Sequence, residues 1–153
     1  MAKITQVSED CINLIKLYEG FKGKPYLCPA NVPTIGYGNT FYEDGKKVTL
    51  SDHEITQERG VQLLKFILKS FEQYVDSFCR DDISQHQFDA LVSFCYNLGP
   101  ANLKSSTLLK KVNINPSDTS IREEFGKWTK GGGRVLPGLV KRRASEADLY
   151  FKS

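Results

Sequence analysis

Val61-Gln62-Leu63-Leu64-Lys65-Phe66-Ile67-Leu68-Lys69-Ser70-Phe71-Glu72-Gln73-Tyr74-Val75-Asp76-Ser77-Phe78 is the stretch that decides the architecture. Apolar residues at Val61, Leu64, Phe66, Ile67, Leu68, Phe71, Val75 and Phe78 hold helical spacing for about twenty residues, so residues 57–78 read as one long helix. The chain on either side of it differs in kind. Upstream, from Lys22 to Leu50, Pro25, Pro29 and Pro33 are spaced among Tyr26, Ile35, Tyr37, Phe41 and Tyr42, a composition of strands and turns. Asp44-Gly45 within that segment predicts a hairpin with a type I′ turn. Downstream the pattern is helical. Ser84-x-x-Gln87 is a capping box that opens a helix running through Phe88, Leu91, Val92, Cys95 and Tyr96 to a stop at Asn97-Leu98-Gly99-Pro100. Shorter helices follow over 106–112 and 121–128, and a last one over 139–151, beyond a flexible Gly131-Gly132-Gly133 connection. A first helix, with Ser8 as N-cap and Glu9 and Asp10 in its first turn, ends at Glu19 before Gly20. The expected class is α+β, one domain over 1–153. A small sheet lobe (about 20–55) is joined by the helix at about 57–78 to a larger all-helical lobe (about 80–153 plus the N-terminal helix).

Composition narrows the function. With 153 residues, 40% of them hydrophobic, the chain can bury about two-thirds of its unfolded surface, which excludes disorder. No apolar run approaches the roughly 18 residues of a membrane span, and the opening Met1-Ala2-Lys3-Ile4-Thr5-Gln6 lacks the pattern of a secretory signal, so a cytoplasmic site of synthesis and residence is expected. A net charge of +3 is too small for a dedicated nucleic-acid binder. Cys11, Cys28, Cys79 and Cys95 form no Cys-x-x-Cys pair, and with only His53 and His86 beside them no metal site is expected. Cys11, Cys79 and Cys95 fall on apolar helical faces and read as small buried hydrophobes; Cys28, between Leu27 and Pro29, does not.

The residues able to carry chemistry gather early. Eight residues separate Glu19 from Cys28, and five separate Cys28 from Thr34 in Pro33-Thr34-Ile35-Gly36-Tyr37-Gly38. A carboxyl at a helix C-terminus faces the negative end of the helix dipole, a setting that favours the protonated form a general acid needs. A thiol and a hydroxyl on the neighbouring strand turn can hold a water. Spacing alone leaves open the plainer reading of a helix-end residue, a filler and a strand former.

Glu19, Cys28 and Thr34 at these intervals resemble the Glu, Asp-or-Cys, Thr constellation of the phage lysozymes, the endolysin muramidases of glycoside hydrolase family 24. Gln87-Phe88-Asp89-Ala90-Leu91-Val92-Ser93-Phe94, Asn97-x-Gly99, Ser106-Thr107-Leu108-Leu109 and Gly138-Leu139-Val140-x-Arg142-Arg143 with Glu146 resemble further blocks of that family, in family order. The resemblance implies a lysozyme-like fold and no cofactor. It also implies hydrolysis of the β-1,4 bond between N-acetylmuramic acid and N-acetylglucosamine in peptidoglycan, ending in host cell lysis. Glu19 would act as acid, and Cys28 and Thr34 would orient a water for an inverting displacement. A monomer that meets the wall after a separately encoded holin permeabilises the membrane completes the expectation. Most relatives have aspartate where this chain has Cys28, and often histidine where it has Asn39, a change that bears on packing.

The remaining candidates are more ordinary. Of Arg142 and Arg143, one reads as a helix-surface partner of Glu146 and the other as a group supporting substrate binding or reaching Glu19 as a counter-charge. Lys127, Lys130, Arg134, Lys141, Arg142 and Arg143 read as a solvated face ahead of a patch for anionic polymers. Trp128 and Phe125 read as core. A weakened wall-binding module, a cysteine peptidase using Cys28 with His53 or His86, and a lytic transglycosylase are the rival functions.

Overall fold

The computed structural model describes residues 3–153. In chain order the elements are α1 (Glu9–Glu19), β1 (Lys22–Leu27), β2 (Pro33–Gly36), α2 (Gln57–Phe78), α3 (Gln85–Leu98), α4 (Pro100–Ser105), α5 (Thr107–Ile114), α6 (Ile121–Gly126), β3 (Lys130–Gly131), β4 (Arg134–Val135) and α7 (Pro137–Tyr150). The chain divides into two compact units, one of the residues up to Leu14 with Ser70–Ser153, the other Ile15–Lys69.

The first unit is built on α3. Its capping box is complete, Ser84 accepting from the Gln87 N–H while Gln87 accepts from the Ser84 N–H, and Gly99 ends it at φ 92°. Residues Phe88 to Cys95 are all buried, because α7 packs along α3 and α4 adjoins it. Phe94 meets Phe125 and Trp128 edge to face at 5.8 and 5.6 Å, and Phe125 meets Tyr150 at 5.8 Å, so Phe125 has its expected core role while Trp128 packs half-buried at the edge of the cluster. Burying a ring such as Phe94 stabilises by roughly 1.5–3 kcal/mol. Helix α4 went unread in the sequence because it is short and follows a stop signal at once; Pro100 at its first turn is the local cue.

Ser8 stands at the N-cap position of α1, its carbonyl accepting the Ile12 N–H at 3.4 Å, while its hydroxyl and its N–H both donate to the Asp89 carboxylate, the N–H at 2.9 Å. Asp89 is fully buried on α3 and also accepts from Gln85 Nε2 at 2.8 Å, so a tertiary contact ties the start of α1 to α3. One local expectation changes. Gly131-Gly132-Gly133 is not a loose connection. Gly132 and Gly133, at φ 60° and 81°, form the two-residue turn of a hairpin pairing Gly131 with Arg134.

In the second unit Ile35, Val48 and Leu63 form the core, with Tyr42 and Ile55 packed on it. Asn39 is buried there, its backbone paired both ways with Ile35 at 2.9 Å and its Nδ2 donating to the Leu63 carbonyl at 3.2 Å. The predicted hairpin at Asp44-Gly45 is present with a different turn. Tyr42 N–H bonds Lys46 O at 2.9 Å and Gly45 N–H bonds Tyr42 O at 3.0 Å, which makes a three-residue loop with Gly45 alone at positive φ (86°). Asp44 keeps an ordinary φ because its carboxylate accepts the Lys46 N–H at 2.9 Å.

Arg142 and Arg143 are both buried, 3% and 1% exposed, on α7 with the fully buried Glu146, so the surface-pair expectation fails for both. Ser93 Oγ donates to Glu146 Oε2 at 2.6 Å, Arg142 Nε reaches the same oxygen at 3.4 Å, and Arg143 Nε lies 3.0 Å from Oε1, misaligned for a hydrogen bond. Arg143 also donates to Asn97 and lies over the Phe94 ring at 5.2 Å. Burial pushes the Glu146 carboxyl up against the pull of Arg143 and Arg142, and lowers the Arg143 guanidinium. Removing the one shared carboxylate leaves two buried cations. Glu146→Gln should therefore destabilise by about 3–5 kcal/mol, read as a lowered urea midpoint with the slope unchanged; a loss under about 1 kcal/mol would show that the arginines find other counter-charges.

Candidate active site

Glu19, Cys28 and Thr34 all lie in the unit Ile15–Lys69. Helix α1 ends at Glu19 because Gly20 turns left-handed at φ 72° and returns its N–H to Lys16 O at 3.0 Å. Glu19 is half-buried at that last position. Three residues on, β1 begins and carries the chain to Cys28.

The loop joining β1 to β2 repeats the construction at Tyr42–Lys46. Cys28 N–H bonds Val32 O at 3.1 Å, Asn31 N–H bonds Cys28 O at 2.8 Å, and Asn31 sits at φ 65°, a conformation asparagine tolerates. Tyr26 is the direct partner of Thr34 and Leu27 of Pro33. Partners across an antiparallel pair, and residues two apart along a strand, share a face. Tyr26, Cys28, Val32 and Thr34 therefore project from one face of the hairpin, with Cys28 diagonal to Thr34.

Thr34 is buried, and its hydroxyl donates to the Val32 carbonyl at 2.8 Å. Cys28 is half-buried, and its thiol is held below the ordinary thiol range, first by the Val32 backbone N–H and then by the Thr34 hydroxyl. A smaller effect of burial opposes these, while the N–H groups of Ala30 and of Cys28 itself assist. The single Thr34 hydroxyl hydrogen has two acceptors in reach, the carbonyl and the sulfur, and serves one at a time. The groups that lower the thiol are backbone N–H groups and the Thr34 hydroxyl. Cys11, Cys79 and Cys95 are buried as expected, and burial pushes the latter two up to about 12.

Tyr26 was missed in the sequence. Burial raises its phenol, and the charges of Cys28 and then Glu19 raise it further, which places one hydroxyl within electrostatic reach of both residues. The cue was present as alternation, since Tyr26 stands two residues before Cys28. Arg142 and Arg143 belong to the other unit, in the buried cluster with Glu146. That leaves Lys127, Lys130, Arg134 and Lys141 as the exposed members of the basic group, and Lys127 is paired with Glu124 at 2.9 Å. Among the described residues no cluster of three or more His, Cys, Asp or Glu could hold a metal ion.

The chain is 41% identical over 145 residues to the endolysin of Bacillus phage B103, covering 95% of this chain and 54% of that protein, so it spans about half the length of that relative. The structure matches an endolysin from Escherichia coli O157:H7 phage FAHEc1 with a TM-score of 0.87 and 32% identity, covering 96% of this chain and 94% of that one. It matches the muramidase domain of SpmX from Asticaccaulis excentricus with a TM-score of 0.82 and 33% identity over 97% and 99% of the two chains. The family model described as phage lysozyme matches residues 16–146, a span that holds Glu19, Cys28, Thr34 and the Arg142-Arg143-Glu146 cluster, and the chain belongs to the phage lysozyme family.

Proposed function

We propose that the protein is an endolysin with lysozyme (muramidase) activity, hydrolysing the β-1,4 bond between N-acetylmuramic acid and N-acetylglucosamine in peptidoglycan and thereby lysing the host cell. The observation that carries this reading is the gathering of Glu19, Cys28 and Thr34 in one unit of a phage lysozyme chain, with the Cys28 thiol drawn towards its anion by backbone N–H groups.

In this reading Glu19 gives its proton to the glycosidic oxygen as the bond to the anomeric carbon breaks. A water adds to that carbon from the opposite face and loses a proton to Cys28 Sγ. Thr34, with its hydrogen on the Val32 carbonyl, presents oxygen lone pairs that accept the water's other hydrogen. Before the transfer, while the sulfur is an anion, the Thr34 hydroxyl hydrogen can instead turn to it; once the sulfur has taken the proton, that hydrogen serves the carbonyl. The N–H groups of Val32 and Ala30 would serve an aspartate in the same way, which is why the family's commoner residue and this cysteine can share one role. In this reading Arg142 and Arg143 support the site from a distance, by fixing α7 against α3.

Reaching the wall from the host cytoplasm needs a route through the inner membrane, which a holin supplies in this reading. Among the described residues no helix is long and apolar enough to cross a membrane. Bacteria expressing the chain alone should hold their turbidity until the membrane is breached chemically, whereas prompt lysis on induction would remove the need for a holin.

Glu19→Gln keeps the shape and removes the acid, so release of reducing ends from purified peptidoglycan should fall about a hundredfold to ten-thousandfold. Activity within a few-fold of the parent would refute the assignment. Cys28→Ala should lose most activity and stay folded, and Cys28→Asp should retain a large part. Activity that depends on an unprotonated base rises with pH through that base's pKa. Because an aspartate ordinarily titrates near pH ~4 and a thiol near ~8.5, the ascending limb should move to lower pH in Cys28→Asp, though by less than that full gap since the parent thiol is already lowered. An unmoved limb would deny Cys28 the role of base. The first product seen by NMR should be the α-anomer; a β-anomer would make the sulfur a nucleophile.

A further inference from the structure

The tyrosines of this chain are mostly committed. Tyr42 donates to Asp52 at 2.7 Å, Tyr150 donates to the Pro116 carbonyl at 2.7 Å, and Tyr37 accepts from Gln57 at 3.1 Å, while Tyr18 and Tyr96 also have partners. Tyr26 differs. It is half-buried, and among the described residues its hydroxyl takes part in no hydrogen bond. Its ring is held instead, with the Lys22 ammonium 4.2 Å from the centroid, across the irregular register between Lys22 and Tyr26. The ring is half-buried while its O–H is not among the buried polar atoms, so the donor stays open to whatever comes to this face.

The position of that free donor gives it meaning. The register sets Tyr26 directly opposite Thr34, and alternation sets Cys28 on the same face. Burial, first of all, favours the protonated phenol, which is the donor form. Whatever is seated over this face meets one neutral O–H with no competing acceptor bonded to it. Glycan supplies acceptors at every sugar, in hydroxyls, ring oxygens and N-acetyl carbonyls.

We propose that Tyr26 is a substrate-binding residue of this site, its hydroxyl donating a hydrogen bond to the glycan seated over Cys28 and Thr34. The inference rests on the muramidase reading. The contact is made on binding and persists through the reaction, so it acts on KM more than on kcat. Tyr26→Phe keeps the ring and its cation contact with Lys22 while removing only the donor.

The test uses the tetrasaccharide of alternating N-acetylglucosamine and N-acetylmuramic acid as probe. In the Glu19→Gln background, adding Tyr26→Phe should weaken tetrasaccharide binding about three- to tenfold by calorimetry, and in the otherwise unchanged enzyme it should raise KM by the same factor with kcat within about twofold. Unfolding curves of Tyr26→Phe should overlay those of the parent, which separates lost contact from lost fold. Binding and KM equal to the parent would overturn the proposal, as would a fall in kcat at constant KM. The two readings fail separately: an active Glu19→Gln enzyme refutes the assigned acid whatever Tyr26 does, and undiminished binding refutes the tyrosine contact while the acid stands.

Discussion

The hydrogen bond from Cys28 N–H to Val32 O, 3.1 Å long, is the constraint on which the site depends. It closes a loop of three residues, and the loop length fixes which residues of β1 and β2 face each other. With that bond in place Leu27 meets Pro33 and Tyr26 meets Thr34, so the phenol, thiol and hydroxyl share a face. A slip of one residue on either strand would turn that strand's polar groups to the other side. The site is thus specified by backbone geometry before any side chain interacts, and Asn31 is the residue that lets the turn close, because its left-handed φ of 65° would strain most others.

The other unit, built on α3, is held by a different kind of interaction. Glu146 is fully buried between two arginines that are themselves nearly inaccessible, and Ser93 and Asn97 on α3 supply further contacts. Two guanidiniums for one carboxylate is a costly arrangement in a poorly solvated place, where the net worth of such a cluster lies more in specificity than in stability. Its groups point in defined directions, so it fixes the rotation of α7 against α3 in a way that apolar packing alone does not.

What the sequence could and could not disclose follows from the range of the interactions. Helix α3, its capping box and its stop at Gly99 were legible because each depends on residues within one or two turns. Helix α2 was legible from its apolar spacing. The two hairpin turns were read the wrong way round, Asp44-Gly45 as the two-residue turn and Gly132-Gly133 as a loose link. Turn type depends on whether both central residues go left-handed, and an Asx contact such as Asp44 to Lys46 decides that locally without changing the dipeptide. Arg142 and Arg143 were illegible for a different reason. Spacings of three and four to Glu146 are the same for an exposed pair and a buried one, and only α3, some fifty residues away in sequence, determines which it is. The bond from the Ser8 hydroxyl to Asp89 was illegible for the same cause.

The site residues themselves sat between these cases. Glu19, Cys28 and Thr34 carry no local pattern strong enough to stand alone, and their significance came from resemblance. Yet the feature that makes cysteine workable at position 28 is local. Sulfur is a weaker hydrogen-bond acceptor than a carboxylate and ordinarily stays protonated near neutral pH. The Val32 N–H that favours the thiolate belongs to the very residue whose carbonyl closes the loop. A backbone donor makes no demand on the identity of the side chain it serves, beyond negative charge at about the right reach. In the proposed reading the same hairpin would hold an aspartate as it holds this cysteine. In that reading the catalytic consequence of the exchange is where the anion forms on the pH scale, because the backbone groups around it are the same.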